Sequence, residues 1–264
     1  MQVSVIITTY NQPESLLLTL KSLQSQTLIP NEIIVADDGS EEVTQTLIID
    51  FIKNSNLKVI HSWQKDAGFR AAKSRNKSIA LSTSEYIILV DGDMILHENF
   101  IQDHINNSEI GYYLQGSRVL LTQKKSQEIF SSKNIKIPFF SSGLNNRKNG
   151  IHSVFLSLMS KLFTMNEKKL NSIRSCNMSF YKEDCIRING FNNNFEGWGR
   201  EDSEFIVRLL NSGIKRKTVR FGLIQYHLWH NESSRNSLEK NTLMLEEAIS
   251  NKSVWCKDGI NRYL

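Results

Sequence analysis

An apolar run, Tyr86-Ile87-Ile88-Leu89-Val90, ends abruptly in Asp91-Gly92-Asp93. An uninterrupted aliphatic run bounded by a turn signal is the pattern of a strand buried on both faces, which belongs in the middle of an α/β sheet. Its two carboxylates would stand in the crevice at the carboxyl end of the sheet, where open α/β sheets bind ligands. Two residues apart around a glycine, Asp91 and Asp93 can aim oxygens at one divalent cation and its bound phosphates, or at a sugar hydroxyl. The same tripeptide also suits an ordinary turn that closes a strand. What separates the two is the rest of the chain.

Before this run, strand and helix alternate. Val3 to Thr8 is a β-branched run that stops at Thr9-Tyr10-Asn11, and Pro13-Glu14 opens a helical pattern through Leu16, Leu17, Leu20 and Leu23. Glu32 to Ala36 repeats the strand and ends at Asp37-Asp38-Gly39-Ser40, followed by a helix over Val43 to Ile52. Leu57 to His61 predicts a third strand, and Arg70 to Leu81 a helix. The alternation predicts parallel strands with right-handed crossovers, so the loops at Thr8 to Asn11, Asp37 to Gly39 and Asp91 to Asp93 fall on one edge. Thr8, Asp37 or Asp38, and Asp91 are suitable acceptors for the N–H groups of a base and for ribose hydroxyls. Arg70 and Arg75 offer positive charge for a diphosphate, or form a solvated helix face. No Gly-x-Gly-x-x-Gly follows the first strand and no Gly-x-x-x-x-Gly-Lys-Ser/Thr occurs, so phosphate binding here calls for a metal.

The 264 residues suffice for one large α/β domain, and 40% apolar with 22% charged residues is ordinary for a globular protein. No apolar stretch approaches the roughly 20 residues of a membrane helix. The first residues read as a strand rather than a secretory signal, so a cytoplasmic location is expected. Cys176, Cys185 and Cys256 are scattered without a Cys-x-x-Cys pair and read as reduced packing residues. A formal charge of +5 suggests an anionic partner. The stretch 121–175 carries eight lysines and two arginines against Glu128 and Glu167, a local charge of +8. Inside it Ile151, Val154, Phe155, Leu158, Met159 and Leu162 recur at helical spacing. That segment suits docking on an anionic membrane surface or a lipid-diphosphate substrate, or a lid helix packed on the domain. Concentration of the charge in one segment, without a recognised binding motif, argues against nucleic acid.

A second constellation runs from Ser175-Cys176-Asn177-Met178-Ser179-Phe180 through Asn189-Gly190-Phe191 to Gly197-Trp198-Gly199-Arg200-Glu201-Asp202. Glycines on both sides of Trp198 allow a tight loop that exposes the indole as a platform for a sugar face. Glu201 and Asp202 precede a helical pattern and can cap it, or serve as a general base. Thr218 to Ile224 predicts a strand, after which His227 and His230 become available as further ligands for a metal on Asp93.

In Thr8-Thr9-Tyr10-Asn11, Asp37-Asp38-Gly39-Ser40 and Asp91-Gly92-Asp93 the chain resembles the GT-A-fold glycosyltransferases of the large inverting family 2. In Asn177-Met178-Ser179-Phe180, Asn189-Gly190-Phe191 and Gly197 to Asp202 it resembles the galactosyltransferase-type segment of chondroitin-polymerase-like transferases. The resemblance implies an α/β GT-A fold, with a single Rossmann-like nucleotide-sugar-binding sheet flanked by helices. Residues 1–105 would form the donor half, 106–173 a basic acceptor, lid or membrane-docking segment, and 174–264 the acceptor-binding and catalytic half. By resemblance, Thr8, Tyr10, Asp37 or Asp38, Arg70, Arg75 and Asp91 would hold the nucleotide, with Asp91 on the ribose. Asp93 and His227 would hold Mn²⁺ or Mg²⁺, Asp202 would be the catalytic base, and Trp198, Glu201 and Arg200 would place the acceptor. Arg200 stands where a glycine is more usual, and the His227/His230 doublet leaves two ligand choices. The implied activity is inverting transfer of a hexose or N-acetylhexosamine from a nucleotide sugar, UDP by expectation, to a hydroxyl of a glycan or lipid-linked glycan. It would serve polysaccharide, O-antigen or lipooligosaccharide assembly, peripherally at the inner face of a membrane. The alternatives are a retaining GT-A transferase and a non-catalytic carbohydrate-binding or scaffold protein.

Overall fold

A computed structural model of the chain describes residues 1–160, 173–231 and 234–264. The first half alternates as its periodicity predicts: β1 (Val3–Thr9), α1 (Pro13–Gln24), β2 (Glu32–Asp37), α2 (Glu42–Lys53), β3 (Val59–Trp63), α3 (Ala71–Leu81) and β4 (Tyr86–Asp91). All four strands pair in parallel, in the order β4-β1-β2-β3. In register, Thr9 lies opposite Asp37 and Thr8 opposite Asp91, so the three strand ends fall on one edge.

Beyond β4 come β5 (Met94–Leu96), α4 (Phe100–Asn107), β6 (Tyr112–Gln115), β7 (Val119–Leu121), α5 (Gln123–Ser132), β8 (Leu144–Asn145) and α6 (Val154–Leu158). After the gap follow β9 (Asn177–Tyr181), α7 (Lys182–Arg187), α8 (Glu201–Asn211), β10 (Lys215–Thr218), β11 (Gln225–His227) and α9 (Leu238–Ser250). Strand β9 pairs antiparallel with both β4 and β6, which makes the seven-stranded sheet mixed: β10-β6-β9-β4-β1-β2-β3. A second sheet, β5-β11-β7-β8, stands beyond the carboxyl end of β4. One expected strand is corrected: of the span 218–224 only Thr218 lies in a strand, as the end of β10, and 219–224 form the link to β11. Phe221 and Leu223 adopt φ of 60° and 51°, a left-handed conformation that β-region pairing does not accommodate. The predicted helix from Ile151 to Leu162 forms over Val154–Leu158, and its last position falls outside the described residues.

Strand β4 is buried on both faces, as its continuous apolar run requires. Tyr86, Ile88 and Val90 join the core beneath α1, α2 and α4, whereas Ile87 and Leu89 join the core beneath α3, α7 and α8. All three cysteines are buried and unpaired. Among the described residues no helix is long and apolar enough to cross a membrane.

Helix α8 presents the acidic pair Glu201-Asp202 and is anchored by a buried ion pair. Arg208 donates from Nε to Glu204 Oε1 at 2.7 Å and from Nη2 to Glu204 Oε2 at 2.8 Å, while Nη1 donates to the Ile188 carbonyl at 2.6 Å. Breaking such a pair leaves a charge buried without compensation. Arg208→Leu is expected to destabilise the fold by about 3–5 kcal/mol, read from urea unfolding, with Glu204→Gln/Arg208→Leu recovering part of that loss.

Candidate active site

The carboxyl ends of β1, β2 and β4 open into a cleft of about 850 Å³. Its lining includes Thr8, Tyr10, Asp38, Arg75, Asp91, Asp93, Trp198 and His227 from the sequence expectation. Gly92 makes the close approach possible: its N–H donates to the Thr8 carbonyl at 2.8 Å, and a Cβ would lie 3.1 Å from that oxygen and from Thr9 Oγ1.

Arg75 fixes one wall. Its Nε donates to Thr8 Oγ1 at 3.1 Å, Nη1 to Glu201 Oε1 at 3.1 Å, and Nη2 approaches Asp91 Oδ1 at 3.5 Å. Its guanidinium also lies over the Phe191 ring, 5.5 Å from the centroid. Burial works against this charge, but Glu201 and Asp91 outweigh it and raise the Arg75 pKa. The Asn189-Gly190-Phe191 motif thus supports the site from beneath, with Phe191 stacked on Phe205 of α8 at 4.2 Å.

The opposite wall is the second sheet. His227 pairs with Met94 in the β5–β11 ladder, and the Leu228 N–H donates to the Asp93 carbonyl at 3.0 Å. That register brings Asp93 Oδ2 to 3.2 Å from His227 Nε2 and 3.1 Å from His230 Nε2. Both histidines therefore reach the carboxylate. Burial pushes the Asp93 carboxyl up, yet the hydrogen bonds with the two imidazoles prevail and hold it well below the usual carboxylate range. The bond to Asp93 raises His230 to about 9. Asp91 moves the other way: burial raises it, Arg75 opposes this, and the Asp93 charge adds to the rise.

These residues fit a divalent cation. Asp93, His227 and His230 offer ligand atoms within 4.8 Å of one another, and the buried Asp93 Oδ1 has no hydrogen-bond partner.

Other expected residues lie elsewhere. Asp37 turns away from the cleft: its Oδ1 accepts from the backbone of Gly39 and Ser40, and its Oδ2 meets His61 Nε2 at 2.9 Å. Asp38 faces the cleft, with Oδ2 accepting from the Arg70 N–H at 2.5 Å and Oδ1 from Gln64 at 2.6 Å. The Arg70 side chain is turned onto the Lys65 carbonyl and away from the lining, so only its backbone serves the site. Arg200 adopts φ of 76° and reaches Thr242 Oγ1 on α9 at 3.3 Å. It also lies outside the lining. Trp198 stands between Gly197 and Gly199, both in left-handed conformations, and its half-exposed indole lies 5.3 Å from the Arg235 guanidinium. Tyr10 donates its hydroxyl to Asp66 at 3.0 Å. Asp202 is partly exposed and falls outside the lining itself, one residue from Glu201, whose partner Arg75 is part of that lining. Burial and then the Glu201 charge raise its pKa to about 7.

A family model described as glycosyl transferase family 2 matches residues 4–169. The chain belongs to this family. A second, described as the N-terminal domain of galactosyltransferase, matches residues 161–231. Chondroitin synthase of Escherichia coli is 28% identical over 241 residues, which are 85% of this chain and 34% of the synthase. The family 2 chain thus spans about a third of that relative. Among solved structures, Staphylococcus aureus TarS 1–349 in complex with UDP-GlcNAc superposes with a TM-score of 0.61 at 16% identity, covering 96% of this chain and 69% of that one. The mannosyltransferase PcManGT from Pyrobaculum calidifontis, in complex with GDP-Man and Mn²⁺, gives 0.59 at 15%, covering 88% and 58%. These likenesses establish the GT-A fold.

Sequence reasoning passed over Arg118 and Trp229, and it placed His230 second to His227. Arg118 lines the cleft ahead of β7, with Nη1 3.8 Å from Cys176 Sγ and a buried Nε without a partner among the described residues. A lone arginine after Gly-Ser carries no local signal. It becomes visible only when β7 is paired beside β11.

Proposed function

We propose that this family 2 chain is a metal-dependent, inverting glycosyltransferase that moves a hexose or N-acetylhexosamine from a UDP-sugar to a hydroxyl of a glycan acceptor. The observation that carries this reading is the convergence of Asp93, His227 and His230 in the cleft that also holds Thr8, Asp38 and Asp91. A UDP-sugar and a polysaccharide acceptor are supported by the TarS complex with UDP-GlcNAc and by the chondroitin synthase relative. In this reading Thr8, Asp38 and Asp91 take the base and ribose, and Trp198 offers its ring to a sugar. Arg118 donates to the donor's phosphates, a role for which its unpartnered Nε is suited.

A divalent cation held by Asp93, His227 and His230 would supply charge neutralisation for the leaving nucleoside diphosphate. Asp202 accepts the proton of the acceptor hydroxyl as that oxygen attacks the anomeric carbon from the face opposite the diphosphate. The new C–O bond forms as the bond to the phosphate oxygen breaks, and the configuration inverts. Glu201 holds Arg75 and through it Thr8, while its charge keeps Asp202 basic enough to take a proton near neutrality.

The testing experiment is calorimetric titration of UDP with Mn²⁺ and then with EDTA. UDP should bind with Mn²⁺ and not with EDTA, and Asp93→Ala should lose that binding; binding that persists in EDTA and is unchanged in Asp93→Ala would refute the metal role. Arg118→Ala is expected to weaken UDP about 10–100-fold, the loss of a charge-assisted bond to phosphate, and to leave uridine affinity unchanged. Equal losses for both ligands would mean that Arg118 does not serve the phosphates.

Since Asp202 acts as carboxylate, kcat/KM should rise with pH through about 7 and flatten above it. Asp202→Asn should lower transfer about 10²–10⁴-fold, keep UDP affinity and lose that rise. Transfer at the wild-type rate in this variant would assign the base to another group.

A further inference from the structure

Helix α6 is amphipathic in the reverse sense. Its inward face is made of serines: Ser157 Oγ accepts from Asn107 Nδ2 on α4 at 2.8 Å, and Ser160, just past its end, donates from Oγ to the Arg220 carbonyl at 3.0 Å. Both serines are buried. Its outward face carries Val154, Phe155, Leu156 and Leu158, all exposed, with Phe155 open to 71%, and exposed Ile151 precedes it. A surface helix ordinarily does the opposite, and a contiguous exposed apolar patch marks an interaction site.

The charge at the two ends of α6 says what kind of surface it meets. Exposed Lys148 lies three residues before Ile151, whose N–H donates to the Lys148 carbonyl at 3.4 Å. Exposed Arg220 is fastened to the other end, its N–H donating to Ser160 Oγ at 2.9 Å. Over 121–160 there are six lysines and arginines against the single acid Glu128. Asp103, on the helix α4 that Ser157 meets, is buried and engaged by His152 and by the Leu223 N–H. A second copy meeting this face symmetrically would set the basic rim against an equally basic one. An anionic bilayer accepts both parts: acyl chains for the aliphatic and aromatic side chains, headgroup phosphates for the cations.

We propose that the exposed face of α6 is a docking surface for an anionic lipid bilayer, with Val154, Phe155 and Leu158 entering the headgroup–acyl boundary and Lys148 and Arg220 meeting lipid phosphates. This inference does not depend on the transferase reading. It is tested with the full chain by flotation on phosphatidylcholine vesicles and on mixed phosphatidylcholine–phosphatidylglycerol vesicles. The chain should float with the anionic vesicles only and be released at about 0.5 M salt, where screening is nearly complete. Phe155→Ser/Leu158→Ser and, separately, Lys148→Glu/Arg220→Glu should each weaken partitioning about tenfold or more, with unchanged circular dichroism and thermal melting. Three outcomes overturn it: no flotation with anionic vesicles, flotation that both double variants retain, or a concentration-dependent dimer in light scattering that Phe155→Ser/Leu158→Ser dissolves. If Phe155→Ser/Leu158→Ser fails to fold, the charge-reversal pair alone decides, because it changes only exposed groups.

Discussion

The fold of the site depends on the guanidinium of Arg75. It is buried, and it links the end of β1 through Thr8, the end of β4 through Asp91 and the start of α8 through Glu201. A buried cation of this kind is tolerable only with opposite charge at hand, since at an effective dielectric of about 20 one such neighbour at 4 Å contributes about 4 kcal/mol. Two carboxylates supply it, and they overcompensate. Burial is the larger cause of the rise at Asp91 and Asp202, and a neighbouring carboxylate charge, Asp93 for the one and Glu201 for the other, adds to it against the pull of Arg75.

Asp93 escapes that rise because of a different element. The β5–β11 ladder is only three residues long on each side, yet its register puts His227 opposite Met94, the residue after Asp93. The turn after β11 then returns His230 to the same oxygen. Two carboxylates separated by one glycine are pushed in opposite directions, Asp93 down by imidazoles and Asp91 up by burial. This asymmetry is what a metal-binding acid beside a hydroxyl-binding acid needs, because a ligand must be ionised and an acceptor of hydroxyl hydrogen bonds need not compete for the same cation.

Much of this was legible in the sequence, for physical reasons that differ by element. The run from Tyr86 to Val90 had no polar position to turn toward water, so a central strand was its only stable placement, and the alternation before it fixed the parallel order. The gathering of Thr8, Asp38 and Asp91 follows from that topology. What could not be read is side-chain direction at adjacent positions. Asp37 and Asp38 are chemically identical, and only the pleat and the three donors that converge on Asp37 decide which of them faces inward. Arg70 and Arg75 lie on the same helical segment, yet Arg70 leaves the cleft for a loop carbonyl at the helix start and Arg75 enters it. The break at Phe221 and Leu223 is invisible to pattern reasoning, because neither residue type favours positive φ; tertiary contacts impose it, among them the Asn177 side chain donating to the Leu223 carbonyl at 2.7 Å.

The pairing of Glu201 with Arg75 also has a consequence for its neighbour. Asp202 is the second residue of α8, where the helix dipole stabilises negative charge, and Ser203 donates both its N–H and its hydroxyl to Asp202 Oδ1 at 2.7 and 3.3 Å. These interactions favour the ionised form. Burial and the adjacent Glu201 charge oppose them and prevail, so Asp202 is brought to about 7 by the difference between opposing effects. Neutralising Glu201 would relieve one opposing effect and let Asp202 ionise at lower pH, but it would also remove a counter-charge from buried Arg75 and loosen Thr8. The proton affinity of Asp202 and the shape of the cleft wall therefore both depend on Glu201, and neither can be changed there without the other.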